Sequence, residues 1–200
     1  HAYDIYILPI YPCHIFMWLL VMVAFSRNKE SRFYKGLIDF VVMVGGPSGL
    51  IGALFNYNFL NSDNPTFLDF FLLKGIVSHM VMLFGIVYLI VFDYFKPRLE
   101  RTMVSVTVGF LSFVVIGFII NTLFAKFNIP FVNAMFLVEP PFPEYPFINF
   151  LTIGILALIL LFIILIIYEY FALPKEERWL SKVTNKLNNK QKEKEEDEHV

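Results

Sequence analysis

Long apolar runs separated by short polar connections dominate the chain. Five such runs can be drawn, at about residues 5–25, 34–60, 67–95, 102–124 and 147–171. Each is close to the ~20 residues that a helix needs to cross the ~30 Å hydrocarbon core of a bilayer. We therefore predict an all-α fold, a polytopic transmembrane helical bundle with about five spans. The third run is long enough to tilt or to extend beyond the hydrocarbon.

The connection between the fourth and fifth runs does not fit a single helix. It reads "NIPFVNAMFLVEPPFPEYP", and its prolines remove backbone donors and break helical turns. It is nevertheless too apolar to lie wholly in water. We interpret it as a re-entrant or interfacial segment, which is tolerated at membrane depth only where protein or a wet cavity satisfies its backbone.

The second run contains the glycine-rich stretch "GGPSGLIG". Pro47 removes a helix hydrogen bond and crowds the preceding turn, which predicts a kink. Gly45, Gly49 and Gly52 leave a small-residue surface that lets another helix approach closely. We favour tight packing at a kink over direct contact with a ligand.

Basic residues alternate along the connections and predict the orientation. The connections after the first and third runs carry Arg27, Lys29, Arg32 and Lys35, and Lys96, Arg98 and Arg101. The connection "NSDNP" has no basic residue, and the one before the last run has only Lys126. We therefore expect an integral membrane protein of a bacterial plasma membrane, with its N-terminus outside and its C-terminus in the cytoplasm.

Hydropathy divides the chain into a transmembrane domain over 1–173 and a charged cytoplasmic tail over 174–200. The tail is predicted to begin as an interfacial amphipathic helix, with Trp179 and Leu180 toward lipid. The following run "KQKEKEEDEH" is predicted to be solvated and disordered. A plain tail is favoured over a specific docking site.

Several chemistries are excluded by composition and motif. The single cysteine excludes an internal disulfide, and no CxxC, HExxH, Walker or GxGxxG pattern occurs. No metal site is predicted, because two of the four histidines stand at the chain ends. We expect no cofactor and no nucleic-acid partner. The first run lacks a basic n-region, so it is not read as a signal peptide, and the initial His suggests sequence upstream.

Polar side chains converge on the predicted outer half of the bundle. Cys13 and His14 lie eight or nine residues from the outer boundary, roughly 12–14 Å deep at about 1.5 Å per residue. The third span brings in Lys74, Ser78 and His79, and further amides and a carboxylate come from Asn56, Asn58, Asn121, Asn133 and Glu139. Ionisable groups at such depth are costly and normally face a bundle interior or a wet cavity.

Cys13 and His79 are the predicted catalytic pair. Taken alone, Cys13 is best interpreted as a small buried apolar residue, and His79 as a structural histidine whose hydrogen bonds are satisfied. Taken together, they are a candidate nucleophile and base, because an imidazole can take the proton of a thiol. His14 is a poor base for Cys13, since adjacent helix positions point about 100° apart, although Pro9 and Pro12 can break the helix.

Four segments, in order, resemble the bacterial YwaF-type proteins and the eukaryotic transmembrane protein 164 family. They are "YILPIYPCHIF", "GPSGLIGALFNYNF", "FLLKGIVSHMVMLFGIVYLI" and "FVNAMFLVEPPFPEYPF". The resemblance covers roughly residues 5–150 and implies a multi-pass helical bundle preceded by a further span. For the eukaryotic branch it implies acyl transfer on lipids through an acyl-cysteine on the residue matching Cys13, with a histidine matching His79.

Two functional hypotheses follow. The first is a lipid acyltransferase or acyl hydrolase that opens to the outer leaflet, with membrane lipids as partners and an acyl lipid as substrate. Substrate binding is assigned to His14, Lys74, Asn133 and Asn56, with Lys74 holding a head-group phosphate or pairing with Glu139. The alternative is a non-enzymatic protein, either a small-molecule-binding transport subunit or an accessory of a membrane complex.

Overall fold

A computed structural model of the chain describes residues 10–54, 70–127, 133–140 and 144–197. Over these ranges the fold is helical and has no strand, as predicted. The helices are α1 (Pro12–Phe25), α2 (Arg32–Phe40), α3 (Gly46–Leu54), α4 (Phe70–Val91), α5 (Leu99–Lys126), α6 (Phe150–Ala172) and α7 (Trp179–Asp197). A π-helical turn, Val41–Gly45, joins α2 to α3, and short 3-10 turns occupy Ala134–Phe136 and Lys175–Glu177.

Within the described ranges, four helical segments are long and apolar enough to cross a membrane. They are Arg32–Leu54, Leu73–Val91, Leu99–Lys126 and Phe150–Ala172. The described part of the first predicted span is the shorter apolar helix α1, and residues 5–9 of that span lie outside the described residues. Large apolar side chains remain exposed along these helices, as expected of surfaces that face lipid instead of water.

The irregularity predicted near Pro47 takes the form of the π-helical turn. This wider turn ends at Gly45, directly before α3 begins at Gly46. Pro47 lacks a backbone N–H and its ring crowds the turn before it, and a π turn accommodates both effects. Together, α2, the π turn and α3 thus form one interrupted helix across the bundle.

The glycine surface of this interrupted helix is confirmed as the place where neighbouring helices approach. A Cβ at Gly45 would lie 3.1 Å from Phe16 of α1, and one at Gly49 would lie 2.6 Å from Met82 Cε of α4. Gly52, one turn further, faces the imidazole of His79. The regular spacing of these contacts shows that α3 and α4 pack antiparallel along their lengths.

Three phenylalanines form the centre of the core. The rings of Phe16, Phe40 and Phe113 pack with centroids 5.1–5.5 Å apart, and all three side chains are buried. Edge-to-face aromatic pairs of this kind add to the stability gained from burial. The cluster fixes α1, α2 and α5 against one another.

One end of the bundle, here called the Arg101 end, is held together by buried charges. Asp39 is 0% exposed and accepts hydrogen bonds from Arg101 Nε at 2.8 Å, from Arg101 Nη2 at 3.1 Å and from the Thr102 hydroxyl at 2.8 Å. Nearby, the carboxylate of Glu169 accepts from the backbone N–H of Leu99 at 2.8 Å and of Trp179 at 2.7 Å. These contacts tie α2 to α5, and α6 to both α5 and α7.

The tail differs from the disordered run expected beyond Lys190, because α7 continues as a helix to Asp197. Lysine and glutamate are good helix formers, so a charged composition alone does not decide between helix and disorder. The last transmembrane helix ends at Ala172, which agrees with the predicted start of the tail at residue 174. The division into two domains remains a prediction.

Candidate thiol–imidazole site

Cys13 lies in the first turn of α1, at the opposite end of the bundle, here called the Cys13 end. Tyr11 is the extended N-cap residue and Pro12 is the first helical residue, a position that proline favours because the N–H it lacks has no partner in the helix. The thiol is partly exposed, and the backbone amides of Cys13 and His14 lie against it.

His79 is oriented by its own helix. Its Nδ1 lies 2.7 Å from the carbonyl oxygen of Gly75, one turn earlier in α4. A carbonyl can only accept, so Nδ1 carries a proton and, in the neutral ring, Nε2 keeps the lone pair. Nε2 and the adjacent ring carbons occupy the space that a side chain at position 52 would fill. Gly52 therefore makes room for the ring.

The helix register brings Cys13 and His79 to the same level. A Cβ at Gly85 of α4 would lie 3.4 Å from Leu20 of α1, which fixes the relative height of the two helices. Both helices start at the Cys13 end, so they run parallel. Cys13 precedes Leu20 by seven residues and His79 precedes Gly85 by six, which at 1.5 Å per residue puts them about 10 Å and about 9 Å from that contact.

The same register puts Ser78, and not His79, on the face of α4 that meets α1. Ser78 also precedes Gly85 by seven residues, which is close to two full turns, so it shares the helix face that meets α1. Its hydroxyl donates to the carbonyl of Lys74 at 2.7 Å. Among the described residues, no hydrogen bond joins Cys13 to His79 directly. The structure thus brings the pair to one level without joining them.

A short loop at residues 133–140 covers the start of α1. The backbone N–H of Met135 donates to the carbonyl of Ile10 at 3.0 Å, and the ring of Phe136 stacks on Tyr11 with centroids 5.2 Å apart. Met135 is 0% exposed, with φ 57°, and Phe136 has φ 55°. Left-handed conformations in two such residues are strained, so the surrounding contacts must hold the loop in place.

Asn121 of α5 supplies the main anchor of this loop. Its Nδ2 donates to the carbonyl of Ala134 at 3.2 Å, and its Oδ1 accepts from the N–H of the same residue at 2.9 Å. Gly117, one turn before it, leaves space in which Leu137 and Met135 pack against α5. Over residues 133–140, the predicted segment between the last two spans therefore folds back onto the bundle.

Asn133 is engaged within the loop itself. Its Nδ2 donates to the carbonyl of Glu139 at 2.7 Å, and its Oδ1 accepts from the N–H groups of Val138 and Glu139 at 3.1 and 3.3 Å. These bonds shape the turn and use both ends of the amide. Its assignment to substrate binding stays a prediction, and its contacts point to a role in holding the loop.

Two of the remaining predicted site residues, Lys74 and His14, lie around the same end. Lys74 is exposed, and no ion pair between Lys74 and Glu139 occurs in the described structure. His14 is partly buried, and its ring packs edge-on against Tyr11 at 5.8 Å. Asn56 lies outside the described residues. Within the described ranges, no group of three or more potential ligands could hold a metal ion.

The sequence matches one known protein family over most of its length. Residues 3–171 match the TMEM164 family. The chain belongs to the TMEM164 family. Searches of curated proteins and of solved structures returned no match. The family match covers α1 to α5 and all but the last residue of α6, together with Cys13, His79 and the loop that covers α1.

Two features of this TMEM164-family site were not found by sequence reasoning. Asn121 was noted only as a polar residue near the outer end of its span, although it holds the covering loop. Gly52 was recognised as a packing residue, but its partner, His79, was not. The Gly52–His79 contact depends on the antiparallel packing of α3 against α4, which the structure supplies.

Proposed function

We propose that this TMEM164-family protein is a lipid acyltransferase or acyl hydrolase, with Cys13 as the nucleophile and His79 as the base. The observation that carries the proposal is the shared level of two groups. A thiol in the first turn of α1 lies level with an imidazole whose Nδ1 is bound to Gly75. With Nδ1 bound in this way, the basic nitrogen of the neutral ring is Nε2, and the proposal assigns the proton transfer to that atom.

In the first half-reaction, His79 Nε2 takes the proton of the Cys13 thiol. The thiolate attacks the carbonyl carbon of a lipid ester, so that a C–S bond forms and the carbonyl electrons move to oxygen. When the tetrahedral intermediate collapses, the ester C–O bond breaks. The leaving alkoxide takes the proton from His79, and the acyl chain remains on sulfur as a thioester.

In the second half-reaction, the acceptor is a lysolipid hydroxyl or water. His79 removes the acceptor proton, the acceptor oxygen attacks the thioester carbon, and the C–S bond breaks. The Cys13 thiolate is released and recovers its proton from His79. A lysolipid acceptor gives net acyl transfer, whereas water gives hydrolysis, and the enzyme returns to its starting state in both cases.

Stabilisation of the oxyanion is assigned to the Cys13 amide. Pro12 has no N–H, so Cys13 carries the first N–H of α1, and amides of the first turn have no partner within the helix. The nucleophile's own amide can serve as an oxyanion donor in acyl transfer. Lys74, exposed at the same end of α4, is assigned to the head-group phosphate.

The Cys13 end is proposed to face the outer leaflet of the membrane. The basic connections around Arg27 and Lys96 lie at the other end of the bundle, which the positive-inside rule assigns to the cytoplasm. The acyl chain of the substrate would then lie between the apolar side chains exposed on α1 and α4, such as Met80, which is 52% exposed.

The proposal is tested by turnover of phospholipids in proteoliposomes. We expect Cys13→Ser and His79→Gln each to lower the rate of acyl release or transfer by about 10²–10⁴-fold, the usual contribution of general base catalysis. Ser112→Ala is the control, because the Ser112 hydroxyl donates to the carbonyl of Val108 in its own helix and has no other hydrogen bond within the part of the chain that the structure describes. Binding of lipid without turnover, unaffected by Cys13→Ser, would favour the non-enzymatic alternative instead.

A further inference from the structure

The tail helix α7 leaves the bundle after its first turn. Its start is fixed at two points: the Trp179 N–H donates to the carboxylate of Glu169 at 2.7 Å, and the Trp179 ring packs edge-on against Phe162 with centroids 5.9 Å apart. Beyond Val183, every side chain described up to Gln191 is exposed. Most of α7 therefore has no partner within the described part of this chain.

The exposed part of α7 has an uncovered apolar stripe. Leu180, Val183 and Leu187 are spaced three and four residues apart, so they lie on one face of the helix. Leu180 is 51% exposed and Leu187 is 58% exposed. A helix with this stripe on one face and polar residues on the other is typical of interfacial helices that lie in the plane of a membrane surface.

Lysines border one edge of this stripe. Lys182, Lys186 and Lys190 follow one another at intervals of four residues, and the opposite edge carries only uncharged Ser181, Thr184, Asn185 and Asn188. No acidic residue occurs between Trp179 and Gln191, whereas the run from Glu193 to Glu198 is predominantly acidic. The positive charge is thus concentrated on the segment that carries the apolar stripe.

We propose that the first twelve or so residues of α7 lie on an anionic lipid surface at the Arg101 end of the bundle. The apolar stripe lies at the boundary between the head groups and the acyl chains of the bilayer, and the lysines contact anionic head groups. Lipid is favoured over a protein partner by two observations. The stripe begins a few residues after the end of α6, where Phe171 is 81% exposed, and its lysine edge complements the negative surface potential of anionic lipid.

This inference is independent of the proposed acyl chemistry, since it concerns the opposite end of the bundle. Site-directed spin labelling tests it, and the chain has a single cysteine, so Cys13→Ser gives a clean background. Labels are attached at Leu187→Cys, on the stripe, and at Asn185→Cys, on the opposite edge, as the matched control. The protein is placed in nanodiscs of phosphatidylcholine alone or of an equimolar mixture with phosphatidylglycerol.

In the mixed bilayer we expect the label at 187 to be accessible to oxygen and shielded from a water-soluble nickel reagent, with the reverse at 185. Removing phosphatidylglycerol, or introducing Lys182→Gln, Lys186→Gln and Lys190→Gln together, should shift the label at 187 toward nickel accessibility. Equal nickel accessibility at both positions would overturn the proposal in favour of a free helix. Shielding of the label at 187 from both reagents would overturn it in favour of a protein partner, and insertion independent of phosphatidylglycerol would overturn the role of the lysines.

Discussion

The two ends of this bundle differ in how their polar groups are buried and hydrogen-bonded. At the Arg101 end, a carboxylate that is 0% exposed is surrounded by donors, with Arg101 and Thr102 together giving Asp39 three hydrogen bonds. At the Cys13 end, the thiol and the imidazole are both partly exposed, and the imidazole is held by a backbone carbonyl on its own helix.

The difference separates structural polar groups from those available for chemistry. A buried charge that is fully paired is costly to disturb and fixes the geometry around it. A thiol and an imidazole that are only partly buried are more accessible to a substrate than the buried carboxylate of Asp39. At the Cys13 end, packing fixes the positions of the side chains. His79 packs against Gly52, and the loop that Asn121 anchors covers the start of α1.

The largest effect on stability is expected from breaking the buried pair at the Arg101 end. Asp39→Ala leaves the Arg101 guanidinium without its carboxylate, and removal of one partner of a buried pair costs about 3–5 kcal/mol. Thermal unfolding in detergent measures the loss. Glu30→Ala is the control, because its ion pair with Lys35 is at the surface and should leave the unfolding midpoint almost unchanged. Equal shifts in the two variants would contradict the distinction between the buried and the surface ion pair.

The next effect should appear in activity at the Cys13 end. Gly52→Ala places a methyl group where the His79 ring lies, so the imidazole must move. A displacement of about 1 Å at a catalytic group can lower a rate by about 10²-fold. Phospholipid turnover measures this loss. Gly46→Ala, whose Cβ would lie at an ordinary 3.7 Å from Ile86, is the control and should keep its rate.

A smaller effect is expected from releasing the covering loop. Asn121→Ala removes both hydrogen bonds to the backbone of Ala134, a buried residue, and unsatisfied buried groups cost about 1–3 kcal/mol. We also expect Cys13 to react faster with a maleimide, because the loop contacts Ile10 and Tyr11 just before it. An unchanged alkylation rate, matching that of Ser112→Ala, would show that the loop does not control access to the thiol.

The smallest effect should be equal at the two ends. Ser31 caps α2 at the Arg101 end by accepting from the Tyr34 N–H, and Asn149 caps α6 at the Cys13 end by accepting from the Thr152 N–H. Loss of such a cap costs about 1 kcal/mol. Ser31→Ala and Asn149→Ala should therefore lower the unfolding free energy by similar amounts in chemical denaturation. A large difference would mean that the ends also differ in their helix termini.

Much of the fold was predictable because apolar run length and bilayer thickness determine it. The glycine surface was also predictable, since Gly45, Gly49 and Gly52 fall at helical spacing on one face. The sequence could also place Cys13 and His79 in the same half of the membrane, because depth follows from position along a helix.

The pairing of these surfaces could not be predicted, because it depends on how helices rotate and slide against one another. Nothing in a single sequence says that His79 rests on Gly52, that Asn121 holds Ala134, or that Asp39 meets Arg101 from a helix 62 positions away. In the sequence, Asp39 is only a polar residue near the predicted cytoplasmic boundary of the second run. Its partner became evident from the packing of α2 against α5.

The most direct test of the central claim is a search for an acyl group on Cys13. Protein purified from membranes, as wild type, Cys13→Ser and His79→Ala, is analysed by intact-mass and peptide mass spectrometry after incubation with phospholipids. We predict an acyl mass on Cys13 that hydroxylamine removes, that is absent in Cys13→Ser and that is weaker in His79→Ala. An unmodified thiol in the wild type after incubation with a broad set of phospholipids would contradict covalent acyl transfer.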